Sequence, residues 1–252
     1  MNEIKPKSSG EVAAVINDVH IPFEDQRSIN LFLKWLDDNK LDRLFLNGDI
    51  MDMPDLSKFD KDPQNRMPIE EQIERTKGFL KLLIQHTRAK IYYVSGNHEK
   101  RLKKYLMRNA PELCGVVNLK ELLDLDKLGI ELIDSDPESY LKYGATLLGH
   151  FDMARKGSAM TARGLLQRFG GAMNIVQAHT HRGGVTYQTL AGRTVASVEN
   201  FCMCDPNPNY ITLPDWQNGF TKITSHARSA VQEIIQFHIG EEGFTDGDKK
   251  YK

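Results

Sequence analysis

With 252 residues, 40% of them hydrophobic and 27% charged, and a mean hydropathy of -0.46, the chain has the make-up of a soluble globular protein and the length to bury a proper core. Its net charge of -1 gives no global attraction to nucleic acid, so any such binding has to come from a local patch. The polar start MNEIKPKSSG is unlike a secretory signal, and no later segment approaches the roughly 18 apolar residues of a membrane span. Cys114, Cys202 and Cys204 include no CxxC pair, which argues against a disulfide framework and a thiolate zinc site. The expectation is a cytoplasmic protein that does not engage a membrane.

Short apolar or β-branched runs follow one another along the chain: VAAVIND (12–18), RLFLNGD (43–49), IYYVSGN (91–97) and TLLGH (146–150), then NIVQAH (174–179), VTYQTL (185–190) and RTVASV (193–198). Between the first three lie helical patterns. Ile29, Phe32, Trp35 and Leu36 recur at helical spacing after Asp25, and Ile69, Ile73, Leu80, Leu83 and Ile84 do so after Pro68,. This βαβαβ order predicts a largely parallel sheet whose ligand sites lie beyond the carboxyl ends of its strands. After about residue 140 strands dominate, with one helix near 158–169, which predicts a second sheet packed on the first. PDLSKFDKDPQNRMP (54–68) reads as a long loop that follows a strand end and overhangs the site. Residues 1–240 are expected to form one domain, and the polar residues 241–252 a flexible tail.

Polar residues collect at the ends of five of these runs: Asp18 with His20, Gly48-Asp49, Gly96-Asn97-His98-Glu99, Gly149-His150, and His179 with His181. Each piece alone reads as a cap, a turn or a core histidine. Together, at successive strand ends, they would converge on one rim. Nitrogen and oxygen donors without thiolate suit Mn, Fe or Zn, and so many histidines argue against a pure Mg or Ca site. Seven candidate ligands, Asp18, His20, Asp49, Asn97, His150, His179 and His181, exceed the needs of one ion, and two ions sharing a carboxylate use them economically. Two divalent ions, two aspartates and a bridging hydroxide leave a positive site, which favours phosphate esters over peptides or amides.

The set Asp18-Val-His20, Gly48-Asp49-Ile-Met-Asp52, Gly96-Asn97-His98-Glu99, His150 and His179-Thr-His181 resembles the five-motif signature of the calcineurin-like metallophosphoesterases, in the family's order and over about two thirds of the chain. The resemblance implies an α/β fold of two packed mixed β-sheets flanked by helices, a four-layer sandwich. It implies Asp18, His20 and His181 on one metal, Asn97, His150 and His179 on the other, and Asp49 bridging. His98 matches the family's catalytic histidine that faces the scissile phosphate and assists the leaving oxygen. Asp52 matches the acidic residue that orients it. Ala178 stands where the last motif usually has Gly. Met53 and Ser95 stand where the Ser/Thr protein phosphatases carry phosphate-holding arginines, so the chain is similar to bacterial and phage-type members instead.

The expected activity is hydrolysis of phosphate esters by a dinuclear centre, through in-line attack of a metal-bridging hydroxide. Manganese is the favoured metal, with Fe, Zn, Ni or Co as alternatives. Phosphodiesters, in nucleic acid or nucleotides, are the favoured substrates. The alternatives are a phosphomonoesterase acting on proteins or small molecules, and an inactive scaffold of the same fold. Asn97, Arg101 and Arg182 are the candidate substrate-binding residues, since an arginine beside His181 or His98 can fork onto phosphate oxygens. Lys100, Arg101, Lys104 and Arg108 fall on one face of a predicted helix, either a solvated face or a guide for a polyanion. Arg155, Lys156, Arg163 and Arg168 read as surface charge, Asp152 as a turn residue or an acceptor for an imidazole, and Cys202 and Cys204 as core.

Overall fold

The computed structural model describes residues 2–58, 67–135, 137–190, 192–209, 211–226 and 231–252. The chain opens with β1 (Asn2–Ile4) and then takes up the expected alternation: β2 (Glu11–Ile16), α1 (Gln26–Asp38), β3 (Arg43–Asn47), α2 (Ile69–His86) and β4 (Lys90–Val94). Asp25 caps α1 by accepting a hydrogen bond from the Ser28 amide at 2.7 Å, the role its position predicts. Next come α3 (Lys100–Asn109), α4 (Leu119–Leu122) and β5 (Glu131–Ile133). The strand-rich half holds β6 (Tyr140–Tyr143), β7 (Thr146–Gly149), α5 (Met160–Arg168), β8 (Asn174–Gln177), β9 (Gly183–Leu190) and β10 (Arg193–Asn200). It closes with β11 (Gly219–Ser225), β12 (Gln232–His238), β13 (Phe244–Asp246) and β14 (Lys249–Tyr251).

One sheet has the order β12-β11-β2-β3-β4-β5, with β2 to β5 parallel and β11 and β12 antiparallel. The other, β1-β6-β7-β8-β10-β9, mixes both senses. Ala13, Val15, Phe45, Leu148, Val176 and Val198 fill the space between the two sheets. Because β2 and β3 are buried on both faces, they read as continuous apolar runs. Their other faces pack on α1 and α2, while α5 covers the second sheet through Leu165, Leu166, Ile175 and Val195. The result is the helix–sheet–sheet–helix stack expected. No helix among the described residues is long and apolar enough to cross a membrane.

One expectation needs correction here. Residues 241–252 are not a loose tail, because β13 and β14 pair into a hairpin whose Phe244 and Tyr251 are buried beside Phe220 and Phe237. Asp246 fixes it by accepting from the Trp35 indole at 2.8 Å and from Lys222. Two aromatic anchors among charged residues are too few to show a strand period. In the loop at 54–68, residues 59–66 lie outside the described residues, and residues 54–56 form a single 3-10 turn.

Candidate metal centre

The carboxyl ends of β2, β3 and β4 in one sheet and of β7 and β8 in the other meet at one rim, drawn together by buried asparagines. Asn47 donates to the carbonyls of Gly149 and Val176. Asn200 donates to the carbonyl of Val15 and to Asn17, whose own amide donates to Asp18 Oδ2 at 2.6 Å. Gly48 is required where it stands, because its φ is +92° and a Cβ would press on the His150 ring. At Gly96 a Cβ would run into the Asp49 amide nitrogen at 2.6 Å.

All seven candidate ligands gather at this rim. Asp18 Oδ1 lies 3.0 Å from His181 Nε2 and 3.5 Å from His20 Nε2, and the two imidazole nitrogens are 3.1 Å apart. Asp49 Oδ2 lies 3.0 Å from His150 Nε2, which is 3.1 Å from His179 Nδ1 and 2.9 Å from Asn97 Oδ1. Asp49 Oδ2 also stands 3.9 Å from His20 and 3.7 Å from His98, so it sits between the two groups. Five of the seven, Asp18, His20, Asp49, His179 and His181, have left-handed backbone, with φ between 48° and 73°. Such conformations cost a non-glycine residue on the order of 1–3 kcal/mol each and persist where the surroundings impose them. His179 and His181 therefore lie on a left-handed turn beyond β8, and not at alternate positions of a strand. Gly183 and Gly184 open β9, and a Cβ at Gly183 would run into the Phe201 ring.

The donors converge as lone pairs around a cation would. Asp18 Oδ1 is buried without a hydrogen bond of proper direction, although two imidazole nitrogens face it. Each histidine pair shares what one proton can supply. Burial works against charge on His150, but Asp49 and Asp18 overcome it and hold the imidazolium up to about 10, while burial and the His150 charge push His179 down to about 4. The other pair divides likewise. His20 is raised well above the ordinary range against burial by Asp18 and Asp52, and burial lowers His181. Despite burial, Asp49 is held far below the usual carboxylate range by His150 and His98, and Asp18 by His181 and His150. This nitrogen and oxygen donor set fits two divalent ions of the Mn, Fe or Zn class.

Beside the cluster, Asp52 holds two rings. Its Oδ2 accepts from His20 Nδ1 at 2.9 Å and lies 3.2 Å from His98 Nδ1, and Arg101 donates to its Oδ1 at 3.0 Å. The other Arg101 nitrogen donates to His98 Nε2 at 2.9 Å. Arg182 departs from expectation: its guanidinium is turned to buried Glu199, 3.4 Å away, and to the Arg155 carbonyl. The fully buried Glu199 carboxylate, already accepting from the Thr161 amide, needs that counter-charge more than the rim does. Of the expected basic face on α3, Lys100 is buried and donates to the Pro137 carbonyl, which leaves Arg101, Lys104 and Arg108. These three line a trough of about 610 Å3 with Lys58, Asn97 and His179. Asp152 lines it too, without a hydrogen bond to an imidazole among the described residues.

Glu99 is the functional residue to which sequence reasoning gave no role. Its buried carboxylate accepts from the amides of Asp49, Ile50, Met51 and Gly96 at 2.8–3.1 Å and from the Tyr93 hydroxyl at 2.7 Å, clamping the two loops that carry Asp49 and Asn97. Burial, then the Asp49 charge, raises it. The available signal was a carboxylate directly after a strand-end Gly-Asn-His. Trp216, which precedes β11, stands edge-on to His181 with ring centroids 4.0 Å apart. With Phe23, Cys204, Asp205 and Asn209 it encloses a second cavity of about 250 Å3 over His20, Asp52 and His181. Cys202 and Cys204 are buried as expected, and Cys204 Sγ lies 3.8 Å from His181 Nδ1, the nitrogen turned away from Asp18.

Comparison with known proteins adds to this geometry. A family profile described as calcineurin-like phosphoesterase matches residues 12–183. The Gene 54 protein of Mycobacterium phage L5 is 28% identical over 92% of this chain and 96% of its own, and that of phage D29 is 27% identical over the same shares. Among solved structures, wild-type Vps29 complexed with Zn2+ from Entamoeba histolytica is similar in fold, with a TM-score of 0.50 at 12% identity, covering 96% of this chain and 99% of that one.

Proposed function

The chain belongs to the calcineurin-like phosphoesterase family, and from that premise we propose that it is a dinuclear metal-dependent hydrolase of phosphate esters that favours diesters. The observation that supports this best is the pair of donor groups, Asp18-His20-His181 and Asp49-His150-His179, set side by side around Asp49. Asn97 completes the second group through Oδ1. Two divalent ions held there, manganese by preference, would activate water at neutral pH and neutralise charge on phosphoryl oxygens.

The chain's own residues supply the rest. Asp52 fixes the His98 ring through Nδ1, so that Nε2 faces the cluster 3.7 Å from Asp49. His98 delivers a proton to the leaving oxygen from that nitrogen. Arg101 now donates to Nε2, and a phosphate oxygen is the better acceptor for a guanidinium. An arriving ester therefore takes Arg101 for itself and frees Nε2 to take up a proton from solvent and pass it to the leaving oxygen. Asn97 binds substrate from the other side of His150. Every candidate ligand and His98 are present and aligned, which favours an enzyme over an inactive scaffold.

The test compares bis(p-nitrophenyl) phosphate with p-nitrophenyl phosphate on the manganese-loaded protein. Diester turnover at or above the monoester rate is expected, and a drop in kcat of about 100-fold or more in His98→Asn. A monoester rate far above the diester rate would move the reading to a phosphatase. Absence of both activities with two metals bound per chain would make it a scaffold.

A further inference from the structure

We propose that the ester cleaved is a phosphodiester of single-stranded nucleic acid, with a base in the cavity lined by Phe23 and Trp216 and the adjoining phosphates over Lys104 and Arg108. This deepens the hydrolytic reading above and rests on it. The two cavities reach the same cluster through different residues. One has His20, Asp52 and His181 at its floor, and the other has Asn97 and His179. A phosphomonoester carries one substituent and fills one of them. A phosphodiester carries two, and here the two destinations differ in chemistry.

The cavity of about 250 Å3 has aromatic walls, Phe23 and Trp216, and at its edge Asp205 and Asn209, whose acceptors and amide donors suit the polar edge of a base. Trp216 stands against His181 and Phe23 is 40% exposed, so both offer rings next to the reacting phosphate. Stacking on such rings is tolerant of base identity. The trough is basic, with Lys58, Arg101, Lys104 and Arg108 against one carboxylate, that of Asp152, among the described residues. Lys104 and Arg108 are exposed and have no carboxylate partner among the described residues. They stand four residues apart on α3, one turn of about 5.4 Å, in line with Arg101 beside His98. A row of cations leading away from the cluster suits a strand with successive phosphates and gives nothing to an isolated ester. It also gives a chain of net charge -1 the local patch it would need.

The experiment measures anisotropy of a labelled, hydrolysis-resistant phosphorothioate oligothymidylate on the manganese-loaded protein, with bis(p-nitrophenyl) phosphate turnover in parallel. Wild type is expected to bind, and more weakly as salt rises. Lys104→Glu/Arg108→Glu should weaken binding at least about tenfold and flatten the salt slope by about one to two. Trp216→Ala should weaken it by about tenfold with the slope retained. Melting temperatures verify that the variants fold, and Lys104→Gln/Arg108→Gln should show a smaller loss in the same direction. No binding by wild type, binding that neither the charge variants nor Trp216→Ala alter, or a preference for a phosphopeptide would overturn the proposal. Turnover of the small diester without oligonucleotide binding sinks this inference and leaves the hydrolytic reading. Binding that responds to the variants without turnover of any diester keeps the strand-binding trough and sinks the hydrolytic reading.

Discussion

The rim at the strand ends and the aromatic cluster beneath α1 are built on opposite terms. At the rim, five non-glycine residues hold left-handed backbone, three aspartates share a small volume, and imidazole nitrogens face one another at 3.1 Å. Under α1, Trp35, Phe220, Phe237 and Phe244 interleave with ring centroids 4.8–5.9 Å apart and sit in ordinary sheet and helix backbone. One region gives up stability so that donor atoms converge, and the other supplies the burial that offsets it. Between them, Glu99 and the asparagines 17, 47 and 200 transmit the constraint, because each ties a loop to a neighbouring loop or strand end through buried hydrogen bonds.

If function and stability are divided in this way, changes at the two regions should separate. Asp49→Asn keeps the acceptor for the His98 amide but removes the shared carboxylate; kcat for any ester that the protein cleaves should fall by about 1000-fold or more, while far-ultraviolet circular dichroism stays that of wild type. Full turnover in this variant would break the division. Phe220→Ala should do the opposite, costing about 3–5 kcal/mol in denaturant unfolding with kcat per folded molecule within about threefold. Glu99→Gln tests the link between the regions. It puts an amide against backbone donors, and should cost about 1–3 kcal/mol and weaken metal binding by about 10- to 100-fold, a joint loss that neither of the first two variants shows.

The smallest effect is in pH dependence. His150 is held up to about 10 in the folded chain against about 6.5 unfolded, so the metal-free fold binds this proton more tightly than the unfolded chain does. That contribution is complete below about pH 6.5 and is lost as pH rises through about 10. Metal-free protein should therefore lose melting temperature between pH 7 and 10 more steeply than metal-loaded protein, and manganese titrated in at pH 7 should release protons into a weakly buffered solution. Uptake without proton release would show that the histidines are neutral beforehand.

Much of the site was legible because its signals are local. Asp18, His20, Asp49, Asn97, His98, His150, His179 and His181 announce themselves by residue type at the ends of β-branched runs, and parallel strands bring such ends to one edge. The four-layer stack was legible for the same reason, since the period changes along the chain while apolar runs mark strands buried on both faces. β11, β12 and the closing hairpin were not, because each is partly polar and recognisable as a strand only once Phe220, Phe237, Phe244 and Tyr251 are seen to share one cluster. Glu99 was in view, but a carboxylate beside a motif does not reveal that it accepts four backbone amides.

By itself the sequence determined which donor chemistries meet and in what order, since these depend on residue type and on strand ends that local pattern encodes. Only the tertiary structure decided where each charged group points. Arg182, beside His181 in the chain, turns to Glu199, while Arg101 reaches Asp52 across 49 residues and His98 three residues before it. A guanidinium settles on the buried carboxylate that most needs neutralising, and burial is a property of the packed molecule that no short stretch of chain contains.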